Sequence, residues 1–149
     1  MFGRYTEEAR RAIFYARFEA SQFGASRIEC EHLLIGLLRA EHEVFHALGV
    51  DVAQLRETVE RESKNWQISP EKVNTAVDMP LSNGCKRVLA YAAEEAGLAP
   101  KHIGTEHLVL GLLREERSAP ARILREQGVD LASGRLKIQN WPPASSSGV

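Results

Sequence analysis

The sequence predicts an all-α domain in which two pseudo-symmetric four-helix repeats pack together. Segments 28–39 (IECEHLLIGLLR) and 103–114 (IGTEHLVLGLLR) are identical at eight of their twelve positions, and further matches precede and follow both copies in the same order. No stretch shows the sustained alternation of apolar and polar residues that is typical of a strand. A short duplicated unit rarely buries its apolar face alone, so we expect the two copies to share a core.

The first repeat is expected to contain four helices. Thr6 precedes a run of apolar residues spaced three to four apart, which Gly24 terminates. A second helix with a leucine stripe is predicted over about 30–39, and a short third helix ends at Gly49. Asp51 is expected to cap the fourth helix.

The second repeat is expected to follow the same plan. Its predicted boundaries are a first helix from Ser82 to near Gly97, a second capped by Thr105, a third with Pro120 in its first turn and Gly128 at its end, and a fourth opened by Asp130. We therefore predict a first repeat at 1–63, a surface linker at 64–79, a second repeat at 80–140 and a flexible tail at 141–149.

The composition argues against several classes of function. The 149 residues carry 19 Lys and Arg against 20 Asp and Glu, so the formal net charge of −1 gives no basic field for nucleic acid. No apolar run approaches the ~20 residues that span a bilayer, and the N-terminus lacks a signal-peptide core. The chain has only two cysteines. We expect a cytoplasmic monomer without a membrane or nucleic-acid partner.

The segment 42–46 (HEVFH) matches the His-Glu-x-x-His pattern of zinc peptidases. On one helix, His42 and His46 would be two metal ligands with Glu43 beside a bound water. The equivalent residues of the second repeat are not ligands, and no third ligand follows at the required spacing. A zinc metallopeptidase is therefore the alternative hypothesis, and no metal site is the preferred one.

The opening MFGRYTEEAR, the paired ECEHLLIGLLR and GTEHLVLGLLRE blocks and the two GVD helix starts closely resemble the Clp amino-terminal domain. This double repeat stands at the front of ClpC- and ClpA-type unfoldases. The resemblance covers about 1–140. The sequence has no phosphate loop of the Gly-Lys-Ser/Thr type, so we expect no ATPase module within it. We expect a stand-alone product, with the front domain of a longer protein as the alternative.

The resemblance implies a docking module without enzymatic activity or cofactor. Its partners would be Clp adaptor proteins, substrate proteins or a Clp ATPase. In some ClpC-type members the domain binds phosphorylated arginine at two sites; the matching residues here are Glu31 and Glu106 for the guanidinium, with Thr6 and Ser82 at nearby helix starts. The alternative is that both glutamates are first-turn acids that stabilise the helix dipole.

Other residues near these positions allow two interpretations. His32 and His107 are either pH-responsive groups or buried residues that form hydrogen bonds between helices, which we favour. Phe2 and Tyr5 either pack back on the first helix or line a partner groove. Cys30, at a helix start, could be reactive, although a free structural thiol is preferred and no disulfide with Cys85 is expected.

Overall fold

The computed structural model describes residues 3–74, 78–98 and 101–143. Within these residues the chain forms eight α-helices and no strand, which confirms the predicted fold class. The helices are α1 (Glu7–Gln22), α2 (Cys30–Glu41), α3 (Glu43–Ala47), α4 (Val52–Ser63), α5 (Asn83–Ala96), α6 (Thr105–Arg114), α7 (Ala119–Glu126) and α8 (Leu131–Lys137). The first four form one repeat and the last four form the other.

Most helix boundaries follow from local capping chemistry. An oxygen of each predicted cap side chain accepts the backbone N–H three residues later, as expected for Thr6, Asp51, Ser82 and Asp130. The four predicted terminator glycines have φ between 68° and 94°, a region that glycine enters at little cost: Gly24, Gly49, Gly97 and Gly128. These predictions are confirmed.

The predicted cap at Thr105 is wrong by one residue. Gly104 holds the cap position, and Thr105 is the first residue of α6. The free N–H of Gly104 is satisfied by Nδ1 of His107, at 2.9 Å. The Thr105 hydroxyl donates instead to the carboxylate of Glu41 at the end of α2. Because a side chain from the first helical turn takes over the capping role, no polar residue is needed at position 104.

Each repeat is built on a closely packed helix pair. A Cβ atom placed on Gly36 of α2 would lie 2.2 Å from the carbonyl oxygen of Ala12 in α1. The equivalent Gly111 of α6 would place its Cβ 2.5 Å from the carbonyl oxygen of Val88 in α5. The absence of a side chain at these two positions therefore sets the helix separation in both repeats.

The two repeats share one apolar core, as the duplication predicted. Buried residues of both halves form a single contiguous cluster, in which α2 packs against α5, α6 and α7. At the edge of the contact, the guanidinium of Arg122 in α7 pairs with Glu62 of α4. Neither half covers its own apolar surface without the other.

Two short backbone contacts join the repeats reciprocally. The N–H of Thr6 donates to the carbonyl of Ile103 at 3.0 Å, and the N–H of Ile103 donates to Arg4 at 2.9 Å. In the equivalent place, Ile28 and Ser82 take the corresponding roles: the Ser82 N–H donates to the Ile28 carbonyl at 2.9 Å. The segment before the first helix of each repeat therefore pairs with the segment before the second helix of the other repeat.

The segment that follows α4 runs back along the end of α1. The N–H groups of Ile68 and Ser69 both donate to the carbonyl of Phe23, and Val73 donates to Ser21. At the other end of the molecule, Trp141 packs against the core at the start of the predicted tail, and residues 144–149 lie outside the described residues. No helix among the described residues is both long and apolar enough to cross a membrane.

Candidate functional site

The reciprocal backbone contacts bring the predicted site residues together across the repeats. Thr6, at the start of α1, lies beside the segment that leads into α6, which carries Glu106. Ser82, at the start of α5, lies beside the segment that leads into α2, which carries Glu31. We call the first group the Glu106 site and the second the Glu31 site. Each site contains two helix N-termini, one from each repeat.

Glu106 is a buried carboxyl group without a cation. The residue is 7 % exposed, and burial together with the nearby charge of Glu41 raises its pKa to about 7. The nearest ring nitrogen is Nδ1 of His107, 3.9 Å away. That nitrogen accepts the N–H of Gly104, so it carries no proton to pair with the carboxylate. Among the described residues, Glu106 has no Lys or Arg partner.

The Glu106 site also contains groups that suit an anion. The hydroxyl oxygen of Thr6 accepts the N–H of Ala9 at 3.1 Å, which leaves the hydroxyl hydrogen available as a donor. The N-termini of α1 and α6 each contribute a positive dipole end and free backbone N–H groups. A buried carboxylate close to such donors can hold a group that is cationic at one end and anionic at the other.

The Glu31 site has the same plan with more crowded surroundings. Glu31 is half-buried, and burial together with Glu29 raises its pKa. The Ser82 hydroxyl accepts the N–H of Cys85 at 3.0 Å. A Cβ atom on Gly84 would lie 3.2 Å from Oε2 of Glu115 and 3.4 Å from Sγ of Cys30. Gly84 therefore leaves room for these neighbours at the start of α5.

The two cysteines are free and buried in this site. Burial is the main cause that raises the pKa of Cys30, and burial also raises the pKa of Cys85 to about 12. Burial therefore opposes the lowered pKa that a reactive Cys30 would need, which favours the free structural thiol. Both residues are protonated structural thiols at neutral pH.

The paired histidines act within their own helices. Nδ1 of His32 accepts the N–H of Glu29 at 2.9 Å, as Nδ1 of His107 accepts that of Gly104. His32 is 1 % exposed, and burial lowers its pKa to about 4. Both are buried or half-buried, as favoured, but each bonds to the start of its own helix, so the expected bond between helices is not the one they form.

The two histidines of the His-Glu-x-x-His segment lie close together, but no third metal ligand joins them among the described residues. His42 lies at the junction of α2 and α3, and its ring centre is 6.0 Å from that of His46. Val44 and Phe45 between them are fully buried core residues. Within the described residues there is no group of three or more side chains that could hold a metal ion. The metallopeptidase hypothesis therefore has no support.

Tyr5 lies at the contact between the repeats. Its backbone faces Ile103 across the reciprocal contact, and the residue is only 8 % exposed. Phe2 lies outside the described residues. The proposed partner groove therefore stays a prediction.

The crosswise pairing of the site residues was not predicted. The matched blocks of the two repeats show which residues are equivalent, yet they give no information about which repeat contributes each side of a site. The one sequence signal was indirect, because Tyr5 and Ile103 are apolar residues directly before a helix start.

Comparisons with known proteins agree with this architecture. Residues 4–127 match the model of the Clp repeat (R) N-terminal domain. Two curated relatives align with this chain over 143 residues, which is 93% of its length. The sequence identity is 33% to the chaperone protein ClpB of Oceanobacillus iheyensis and 32% to the negative regulator of genetic competence ClpC/MecB of Bacillus subtilis. This chain spans 17% of the length of each of these relatives.

A solved structure shows the same fold. The N-terminal domain of the chaperone ClpD from Arabidopsis thaliana superposes with a TM-score of 0.68 and 26% identity, over 92% of this chain and 93% of that one.

Proposed function

The chain belongs to the Clp repeat N-terminal domain family, and from this premise we propose that it is a protein-binding module that recognises arginine-phosphorylated segments at the Glu106 and Glu31 sites. The proteins it docks would be adaptors or substrates of a Clp ATPase and protease. In this proposal the module binds a segment of another protein and has no catalytic role.

The observation that carries the proposal is the carboxyl group of Glu106. It is buried, it has no cationic partner in the described part of the chain, and it stands in the first turn of α6, whose lead-in segment is hydrogen-bonded to the segment before α1. A guanidinium would supply the missing counter-charge through two parallel hydrogen bonds. The phosphate group of the bound phosphorylated arginine would lie toward the helix N-termini and the Thr6 hydroxyl. No free arginine or free phosphate satisfies both halves.

A capture experiment tests the proposal. The protein is immobilised and exposed to a lysate of cells treated to accumulate arginine phosphorylation, with free phosphoarginine as competitor. We expect phosphoarginine to release the captured proteins, and Glu106→Ala to reduce capture. Glu57→Ala is the matched control, because Glu57 is an exposed helical glutamate of α4, and it should capture as the original protein does.

Two results would contradict the proposal. The first is a captured set that neither the competitor nor Glu106→Ala changes. The second is equal loss of capture in Glu57→Ala, which would show that general surface charge is responsible rather than the site.

A further inference from the structure

Each repeat has a groove between its first, second and fourth helices, and the two grooves differ in how their charges are paired. In the first repeat, this groove lies between α1, α2 and α4 and has a volume of about 330 Å³. Its apolar lining consists of Phe23, Ile35, Leu38 and Val59. We call it the α1–α4 groove. Its volume is in the range of sites that bind small side chains or ligands.

In the second repeat, ion pairs tie the fourth helix to the first at the equivalent place. Arg135 of α8 makes two hydrogen bonds to Glu95 of α5, at 2.9 and 2.7 Å. Arg114 bonds to the same Glu95 and to its neighbour Glu94. Every charge of this cluster therefore has a partner within the domain.

In the first repeat the same positions leave one guanidinium uncommitted. Arg56 is the equivalent of Arg135, yet its contact is a 3.5 Å approach to the carbonyl of Leu38, and it makes no ion pair with any described residue. Glu19, the equivalent of Glu95, is bonded to Arg39 at 3.1 Å. Arg56 therefore lies on the rim of the α1–α4 groove without an ion pair among the described residues, and Glu19 and Glu60 line the same groove.

An exposed aromatic ring extends this rim. Phe18 stands where the second repeat has Glu94, and it is 38 % exposed. The guanidinium carbon of Arg39 lies 4.3 Å from the ring centre of Tyr15 and 5.6 Å from that of Phe18. The first repeat therefore has an aromatic ring where the second repeat has an acid, which adds apolar contact area beside the groove.

From these contacts we infer that the α1–α4 groove is a further protein-binding surface, whose occupant is a partner segment with an apolar side chain next to a carboxylate. The apolar side chain packs on Ile35, Leu38 and Val59. The carboxylate pairs with Arg56. Glu60, one turn along α4, lines the same groove without an ion pair to Arg56, and its negative charge opposes an acidic occupant. Removal of Glu60 should therefore favour the occupant.

Two synthetic peptides test the inference by NMR of the methyl-labelled protein. Both are acetylated and amidated octapeptides with a central Leu-Leu; one has Glu on both sides of it and the other has Lys. We expect the acidic peptide to shift the methyl signals of Ile35, Leu38 and Val59. The equivalent Leu110 and Ile138 of the second repeat should stay unchanged, which is the internal control.

Two exposed substitutions should change the affinity in opposite directions. Arg56→Gln should weaken binding of the acidic peptide about threefold, the size expected for one exposed ion pair, and Glu60→Gln should strengthen it. Both residues are exposed, so thermal melts should show an unchanged fold.

Three outcomes would overturn the inference. They are equal binding of the acidic and the basic peptide, shifts confined to the helix-start sites or to the second repeat, and no shift up to about 5 mM peptide, which is weaker than a useful docking contact.

Discussion

Glu106 and His32 give the stability of this domain opposite dependences on pH. The pKa of Glu106 is raised to about 7, so between about pH 4.5 and 7 the folded state holds a proton that the unfolded state has lost. Stability therefore falls as the pH rises through this window. The pKa of His32 is lowered to about 4, so the unfolded state binds the extra proton between about pH 6.5 and 4. Stability at this residue therefore falls as the pH falls.

Substitution of Glu106 should remove its contribution to the pH dependence of stability. Glu106→Gln removes the carboxyl that must ionise inside the domain, so the free energy of unfolding should no longer fall between about pH 5 and 7.5, a change of about 2 kcal/mol relative to the original protein. Urea unfolding at several pH values measures this. Identical pH slopes in both proteins would show that Glu106 ionises as freely when folded as when unfolded.

Substitution of His32 should have the reverse effect. Glutamine at this position can still accept the N–H of Glu29, as the third residue of a capping box does, but it cannot take up a proton. His32→Gln should therefore lose less stability on acidification from about pH 6.5 to 4 than the original protein does. The same urea series tests it. If acid destabilises both proteins equally, His32 is not the group that titrates.

Single residues were predictable where their chemistry is local. The caps at Thr6, Asp51, Ser82 and Asp130 follow from the residue types and the helical pattern after them. The start of α6 was not predictable from local residue types, because the side chain that caps it is a histidine from inside the helix. The raised pKa of Cys30 was not predictable either, since it depends on burial against the other repeat.

At the scale of elements, the close helix pairs depend on Gly36 and Gly111. Gly36→Ala and Gly111→Ala should each destabilise the domain by about 1–3 kcal/mol, because the new methyl group would meet a backbone carbonyl that cannot move aside without the whole helix. Gly3→Ala is the control, since nothing lies within 4 Å of a Cβ atom there. Thermal melts of the three variants measure the effect. Equal melting temperatures in all three variants would show that the helix pairs can accommodate a methyl group at Gly36 and Gly111.

The sequence showed the elements but not the reason for these glycines. The apolar periodicity and the repeat were sufficient for the helices, since both are properties of the chain itself. The sequence distinguishes Gly36 and Gly111 only by their identity at equivalent positions of the two repeated blocks. Their role depends on the carbonyls of Ala12 and Val88 in a neighbouring helix, which periodicity does not describe.

At the scale of the whole molecule, the pseudo-symmetry of the repeats brings two pairs of helix starts together, and each pair is one of the proposed sites. Each site takes its cap hydroxyl from one repeat and its glutamate from the other. Duplication was readable from the sequence, and so was a shared core. The sequence does not show that each proposed site takes residues from both repeats, because this depends on how the two halves are placed in space.

The differences between the repeats then allow different roles for equivalent surfaces. The charges that tie α8 to α5 are paired, whereas the equivalent Arg56 of α4 is not.

Amide NMR of the labelled protein during titration with phosphoarginine tests whether each proposed binding site joins both repeats. We expect Glu106→Gln to abolish the ligand-induced shift at Thr6 and to leave the shift at Ser82, and Glu31→Gln to do the reverse. Loss of the Ser82 shift in Glu106→Gln, with Thr6 still responding, would show that the residues are not grouped into these two sites, and a spectrum that phosphoarginine leaves unchanged would show that neither site binds it.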